Sequence, residues 1–360
     1  MRVDACADCL RRTDLLAALS ARIDVEWRER GRRPRLLALG DAELLEWGGR
    51  AETRRRYAGF DARAAVTRIA GAGLSAACRC RDGYPAGLRD LPDPPAVLHV
   101  LGATAALAGD AVAVVGARRA TGYGLSVARS LGRGLAASDV TVVSGMALGI
   151  DSEAHSGALE AAAGAPTVAV LGSGADRAYP ASKRSLHARI VREGGAVVSE
   201  LPPGFAPLRW TFPARNRLIA ALARSAIVVE ATERSGSLIT ADFAGDLGRT
   251  VGAVPGPVTA ATSDGANLLL RAGAEVIRSV QDVLDALFGA GAREAPDPRT
   301  ASLRPELAVL LEAVRRGHLS VAELSGRASD PLAVAACLAE LEVRGLVRRT
   351  FDGRYLAVLG

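Results

Sequence analysis

Aromatic residues are scarce, at 4% of 360 positions, and lysine is nearly absent: Lys183 stands alone among 45 basic residues, the other 44 being arginine. A phosphate-binding lysine in a related protein is therefore expected here as arginine, which grips phosphate bidentately. Apolar runs are short, and none reaches the roughly 18 residues of a membrane span. The opening Met1–Leu10 is acidic where a signal peptide would be cationic and then greasy, so a cytoplasmic location is expected. A nucleophile elbow, a Walker lysine motif and paired carboxylates at useful spacing are all missing. His155 has no second histidine at metal-ligand spacing and reads as structural. No catalytic residue and no cofactor are therefore expected.

Five cysteines are too few to suggest a disulfide scaffold. Cys6-x-x-Cys9 and Cys78-x-Cys80 could together form a four-thiolate zinc site. Nearly 70 residues separate the pairs, so reduced free thiols and no metal are the expectation.

What is present describes a globular protein: 49% hydrophobic and 23% charged residues, in a chain long enough to bury a core without cross-links. The net charge of +6 is spread thinly. Residues 1–70 carry 15 basic and 11 acidic groups, 111–288 carry 17 and 15, and 301–360 carry 8 and 7. None of these is the broad positive field of a non-specific duplex binder. Any nucleic-acid site must be a local cluster.

The middle of the chain alternates short β-branched runs with helix-length stretches. The runs are Ala111–Val115, Val140–Ser144, Thr167–Leu171, Ala196–Ser199, Ala226–Val229, Val251–Val254 and Glu275–Ile277. Helices are predicted at Tyr123–Ala137, Asp151–Ala163, Ala181–Glu193, Ala214–Ala223 and Ser237–Leu247. Continuous apolar strands alternating with helices specify an α/β fold with a doubly wound, mostly parallel sheet, and ligands bind such sheets at the carboxyl ends of the strands. Residues 1–75 are helical in pattern, with Leu15, Leu16 and Leu19 on one stripe and Asp41 as a helix cap. The proline-rich Tyr84–Val100 reads as a connector into a core at 76–288, and residues 289–304 as a linker. Residues 305–360 order as three helices (Glu306–Arg316, Val321–Arg327, Pro331–Val343) and a hairpin around Asp352-Gly353, the sequence of a winged helix.

Four strand ends lead into turns that could line one site. In the first, Gly116 allows close approach of a phosphate, with Arg118 and Arg119 supplying charge. The second runs Ser144-Gly145 to Gly149-Ile150-Asp151. The third, Gly172-Ser173-Gly174, can hold an anion on backbone amides and leads to Tyr179-Pro180 and Lys183. The fourth, Arg209-Trp210-Thr211-Phe212-Pro213-Ala214-Arg215-Asn216-Arg217, combines three arginines with two aromatics and no acid. That is the composition of a single-strand platform, where bases stack and guanidinium groups take phosphates. In the competing reading Trp210 and Phe212 are core and the arginines pair with Glu200 or Glu230. Ser235-Gly236-Ser237 opens a further helix and suits either phosphate or simple capping.

In this order the segments resemble the DNA-processing protein A family (DprA, or Smf). The resemblance rests on Gly116-Ala117-Arg118 with Tyr123-Gly124, on Ser144 to Asp151 with Ala154-His155, and on Leu171 to Gly174. It continues through Tyr179-Pro180, Ser199-Glu200, Phe212-Pro213-x-Arg215-Asn216-Arg217, Val229-Glu230-Ala231, Ser235-Gly236-Ser237 and Pro255-Gly256. It implies an extended Rossmann-like core with a SAM-like N-terminal module and a C-terminal winged helix. It also implies a homodimeric, non-enzymatic mediator that binds incoming single-stranded DNA during natural transformation and loads the recombinase RecA onto it. Arg118 and Arg209 would bind phosphate and Phe212 a base. Leu148 stands where relatives usually carry arginine, and the family varies at Lys183.

Two other functions fit parts of the pattern. A nucleotide-processing hydrolase could use the same glycine turns, with Glu230 as its acid. A promoter-reading regulator would use Pro331–Val343, but that helix carries Glu340 and Glu342 and no basic residue.

Overall fold

In the computed structural model the described residues are 2–30, 35–161, 164–295, 300, 303–317, 320–325, 330–351 and 353–358. The chain forms two compact units, Met1–Ala295 and Pro296–Gly360.

The first unit is built on a ten-stranded sheet. Its strands are β1 (Val3–Asp4), β2 (Ser75–Cys78), β3 (Val97–Gly102), β4 (Ala111–Val115), β5 (Thr141–Ser144), β6 (Thr167–Val170), β7 (Ala196–Ser199), β8 (Ser225–Val228), β9 (Thr250–Ala253) and β10 (Glu275–Val276). They lie in the order β1-β2-β3-β7-β6-β5-β4-β8-β9-β10. β3 runs antiparallel to both of its neighbours, and the other pairings are parallel. The pleat sorts the side chains of β4 between two cores. Ala113 and Val115 face Leu218 and Ala221 of the helix Thr211–Leu222, together with Ala241 and Ala244 of the helix Gly236–Asp246. Val112 and Val114 face Leu131 and Leu135 of the helix Gly122–Ala137 on the other side. Burial on both faces is why these strands read as unbroken apolar runs.

Two expectations are corrected. Tyr84–Val100 is no mere connector: Val97–Gly102 is a buried strand that joins the N-terminal part to the sheet. The prolines at 92, 94 and 95 all precede it, where they remove no ladder hydrogen bond. The N-terminal helices lie in one compact unit with the sheet, Met1–Ala295, and β1 pairs with β2. Asp41 lies inside the helix Asp41–Gly48, whose N-cap is Gly40, and accepts hydrogen bonds from Arg12 Nη1 (2.6 Å) and Tyr57 Oη (2.9 Å).

The second unit has helices Pro305–Arg315, Val321–Ser325 and Pro331–Val343, then an antiparallel hairpin of β11 (Val347–Arg349) and β12 (Tyr355–Ala357). Leu307, Leu311, Leu338, Leu341 and Tyr355 form its own core. Asp352, expected at the tip of the hairpin, lies outside the described residues, as do Arg327 and residues 162–163.

Candidate nucleic-acid interface

β4 has β5 on one side and β8 on the other. The chain leaves β4 through the helix Gly122–Ala137 on one face and enters β8 from the helix Thr211–Leu222 on the other. In an open α/β sheet such a reversal marks the usual ligand site, beyond the carboxyl ends of the strands.

Leaving β4, Ala117 N–H donates to the carbonyl of Glu230 (2.7 Å), and Arg118 and Arg119 reach solvent beyond the partly buried Gly116. Thr121 caps the helix that follows, accepting from Gly124 N–H. Its own N–H and hydroxyl donate to the buried Glu230 carboxylate at 2.9 and 2.5 Å. Glu230 thus spends its oxygens positioning a turn, which weakens its candidacy as a catalytic acid.

After β5, the chain must pass close under its neighbours. A Cβ on Gly145 would sit 1.6 Å from Arg215 Nη1, so only glycine leaves room for that guanidinium. Gly149 adopts φ +79°, and its Cβ would meet the carbonyl oxygen of Ala117 at 2.3 Å. Leu148, between them, is exposed.

After β6, Gly172 lies against Thr211 and Phe212. Ser173 is fully buried and its hydroxyl donates to Arg177 O (2.9 Å), so it serves the turn and is not open to a ligand. Lys183 is partly exposed at the end of the short turn Ala181–Lys183. The half-exposed Tyr179 packs its ring 5.3 Å from that of Phe212, the planes tilted by 38°. The Arg118 guanidinium sits 5.6 Å from the Phe212 ring centroid, within cation–π reach. Two rings and an exposed arginine therefore meet beside the glycine turns.

The helix Thr211–Leu222 divides the expected arginines. Arg209, just ahead of it, is exposed. Trp210 is 1% exposed and packs with Leu15, Leu19 and Ile23, its backbone N–H donating to Asp24 Oδ1 (3.1 Å). It is a core residue and not a stacking platform. Arg215 is buried and donates from Nη1 to Val170 O (2.8 Å). Burial pulls its pKa down to about 10, with Asp151 opposing and Arg118 adding to the fall. Burial also raises the pKa of Asp151, whose carboxylate accepts from Gly145 N–H (3.1 Å). Arg217 is buried between Asp93 (3.0 Å) and Glu200 (2.7 Å). Desolvation lowers its pKa, yet the two carboxylates outweigh that and raise it. Both guanidinium groups are buried, Arg217 compensated by two carboxylates and Arg215 by the charge of Asp151 alone, its Nε having no hydrogen-bond partner among the described residues. Asn216 donates from Nδ2 to Gly236 O (2.9 Å), tying the helix to its neighbour. Ser235 caps the helix Gly236–Asp246, and its hydroxyl lies 2.7 Å from that of Ser237, so both serve the cap, while Gly236 stays exposed.

Tyr179 was legible as part of Tyr179-Pro180, but nothing in the spacing placed its ring on Phe212. The anchoring carboxylates Asp24 and Asp93 lie over 100 residues from the groups they hold, beyond any local pattern.

A family model described as DNA recombination-mediator protein A matches residues 75–288. A putative DNA processing protein DprA of Mycobacterium tuberculosis is 44% identical over 284 residues, covering 76% of this chain and 71% of that protein. The DNA processing protein DprA of Streptococcus pneumoniae is 42% identical over 203 residues, covering 56% and 71%. The X-ray structure of DprA from S. pneumoniae has a TM-score of 0.62 at 33% identity, covering 77% of this chain and 95% of that one. A Helicobacter pylori DNA processing protein A, titled for its single-stranded DNA binding mode, has a TM-score of 0.53 at 31% identity, covering 59% and 95%.

Proposed function

Since the chain belongs to the DNA recombination-mediator protein A family, we propose that it binds single-stranded DNA across the carboxyl edge of its sheet and acts there as a non-enzymatic mediator of recombination. The observation that carries this reading is the cluster of Arg118, Phe212 and Tyr179 beside the glycine turns. A base stacks on the Phe212 and Tyr179 rings. Arg118 takes one phosphate and Arg209 another, beside the close-approach glycines Gly116 and Gly172. Unpaired bases have free π-faces for such a platform and paired ones do not. Arg119, Lys183 and the Ser235–Ser237 turn extend the charged or polar margin of the site.

Beyond DNA binding, the protein loads RecA onto the strand it holds, works as a homodimer in the cytoplasm, and takes part in DNA processing of the kind natural transformation requires. Residues 1–75 serve as the SAM-like part, 76–288 as the Rossmann-like core and 305–360 as a winged helix joined by 289–304. In that last part Pro331–Val343 carries Glu340 and Glu342 and no basic residue, so a protein-docking role fits better than major-groove reading. The hydrolase reading fits less well, because Glu230 is engaged by Thr121.

Fluorescence anisotropy with labelled oligo-dT and a matched duplex tests the binding. The single strand is expected to bind preferentially, and Phe212→Ala to lose about 1–3 kcal/mol of affinity. Arg118→Ala and Arg209→Ala should each weaken binding, and unchanged affinity in both would remove the site. RecA loading is read from RecA filament growth on strands pre-coated with single-strand binding protein.

A further inference from the structure

The four cysteines of the first unit come together. β1 pairs in parallel with β2, Val3 opposite Ala76 and Asp4 opposite Ala77. Extending both chains by a residue or two brings Cys6 beside Cys78. Cys6 N–H donates to Cys78 Sγ (3.4 Å), and Cys9, in the first turn of the helix Ala7–Arg30, places its Sγ 3.6 Å from that of Cys80. The second pair sits in a tight turn, closed by Arg81 N–H on Cys78 O (2.9 Å) and anchored by Arg79 N–H on Ala96 O (3.1 Å). All four Sγ atoms lie within 4.8 Å of one another.

We propose that Cys6, Cys9, Cys78 and Cys80 bind one structural zinc ion. Zinc–sulfur bonds of about 2.3 Å at tetrahedral angles put the ligands about 3.8 Å apart, so the observed cluster needs only a small contraction. Four sulfurs all within 4.8 Å of one another can be reached by one ion, whereas two disulfides would draw them into two separate pairs. Binding releases the thiol protons to solvent and forms four Zn–S bonds, with no oxidant or reductant involved. Four thiolates leave no open coordination position, so the ion is a staple and not a catalyst. Cys9 and Cys78 are buried, Cys6 is partly buried and Cys80 faces solvent, which gives an entry path.

The staple ties the start of the helix Ala7–Arg30 to the edge of the sheet. The same helix carries Asp24, which accepts the backbone N–H of Trp210 at the start of the helix bearing Phe212. Zinc would thus fix the scaffold behind the interface, and its detection does not depend on DNA binding.

The test is metal analysis of the full chain purified without chelator. About one zinc per chain that survives dialysis is expected, together with a tetrathiolate charge-transfer spectrum after cobalt exchange. Cys80→Ser, at the exposed ligand, should lose the metal and melt at a lower temperature, while Cys337→Ser in the second unit should keep it. Background zinc with five titratable thiols, iron in place of zinc, a disulfide among the four in the intact mass, or full zinc retention by Cys80→Ser would each overturn the proposal.

Discussion

Arg118 and Arg217 have the same side chain on one sheet and opposite tasks. Arg118 is exposed over a ring, and Arg217 is 3% exposed between two carboxylates. Deleting one partner of a buried ion pair leaves the others desolvated and uncompensated, at a cost of about 3–5 kcal/mol. Arg217→Ala is therefore expected to lower the urea midpoint sharply, whereas Arg118→Ala should leave it within error and act on DNA affinity alone. Equal midpoints for the two variants would contradict the assignment. In the sequence both arginines are candidate phosphate ligands, with pairing to Glu200 or Glu230 as the competing reading for Arg217. The carboxylates that separate them, Asp93 and Glu200, come from other elements.

Two histidines show how elements rather than residues set acid stability. His99 on β3 and His155 on the helix Ile150–Ala158 are both fully buried, and desolvation lowers their pKa values to about 4 and about 3 from 6.5. His155 Nδ1 lies 2.7 Å from Thr167 Oγ1, whose hydroxyl donates to Val142 O on the neighbouring strand. Unfolding lets both rings bind protons at any pH below 6.5, so the unfolded state carries more protons in that window. Stability is thus intact above pH 6.5 and falls as pH drops from 6.5 towards 4 and 3, by up to about 1.4 kcal/mol per unit for each ring. Denaturant melts between pH 7 and 4 should show this slope, and His155→Asn should flatten it. The structural reading of His155 followed from the lack of a second histidine at metal-ligand spacing. His99 was hidden because the prolines before it disguised a strand as a connector.

For the molecule as a whole, net charge is small, so the proposed binding would rest on where the charges are placed. Each phosphate contact on a single strand contributes about 0.7 to the slope of log affinity against log salt. Arg118→Ala and Arg209→Ala should each reduce the slope by about that amount. Removing residues 296–360 is expected to leave the first unit folded, with its own cores, and to leave the single-strand slope unchanged. A large fall in slope on truncation would move the main phosphate contacts into the second unit. Among the described residues no helix is long and apolar enough to cross a membrane.

Local pattern alone was enough for the parallel sheet and for the strand ends around which the site is built. Apolar runs buried on two faces, glycine turns and helix starts are features of a few consecutive residues, and β4 and β7 begin and end where the periodicity put them. Tertiary structure alone decided which basic groups face solvent, that Tyr179 joins Phe212, and that Cys6 and Cys9 meet Cys78 and Cys80. Those outcomes depend on contacts between segments far apart in the chain. Burial, charge compensation and ligand convergence are properties of the space between elements, which no spacing along one strand or helix encodes.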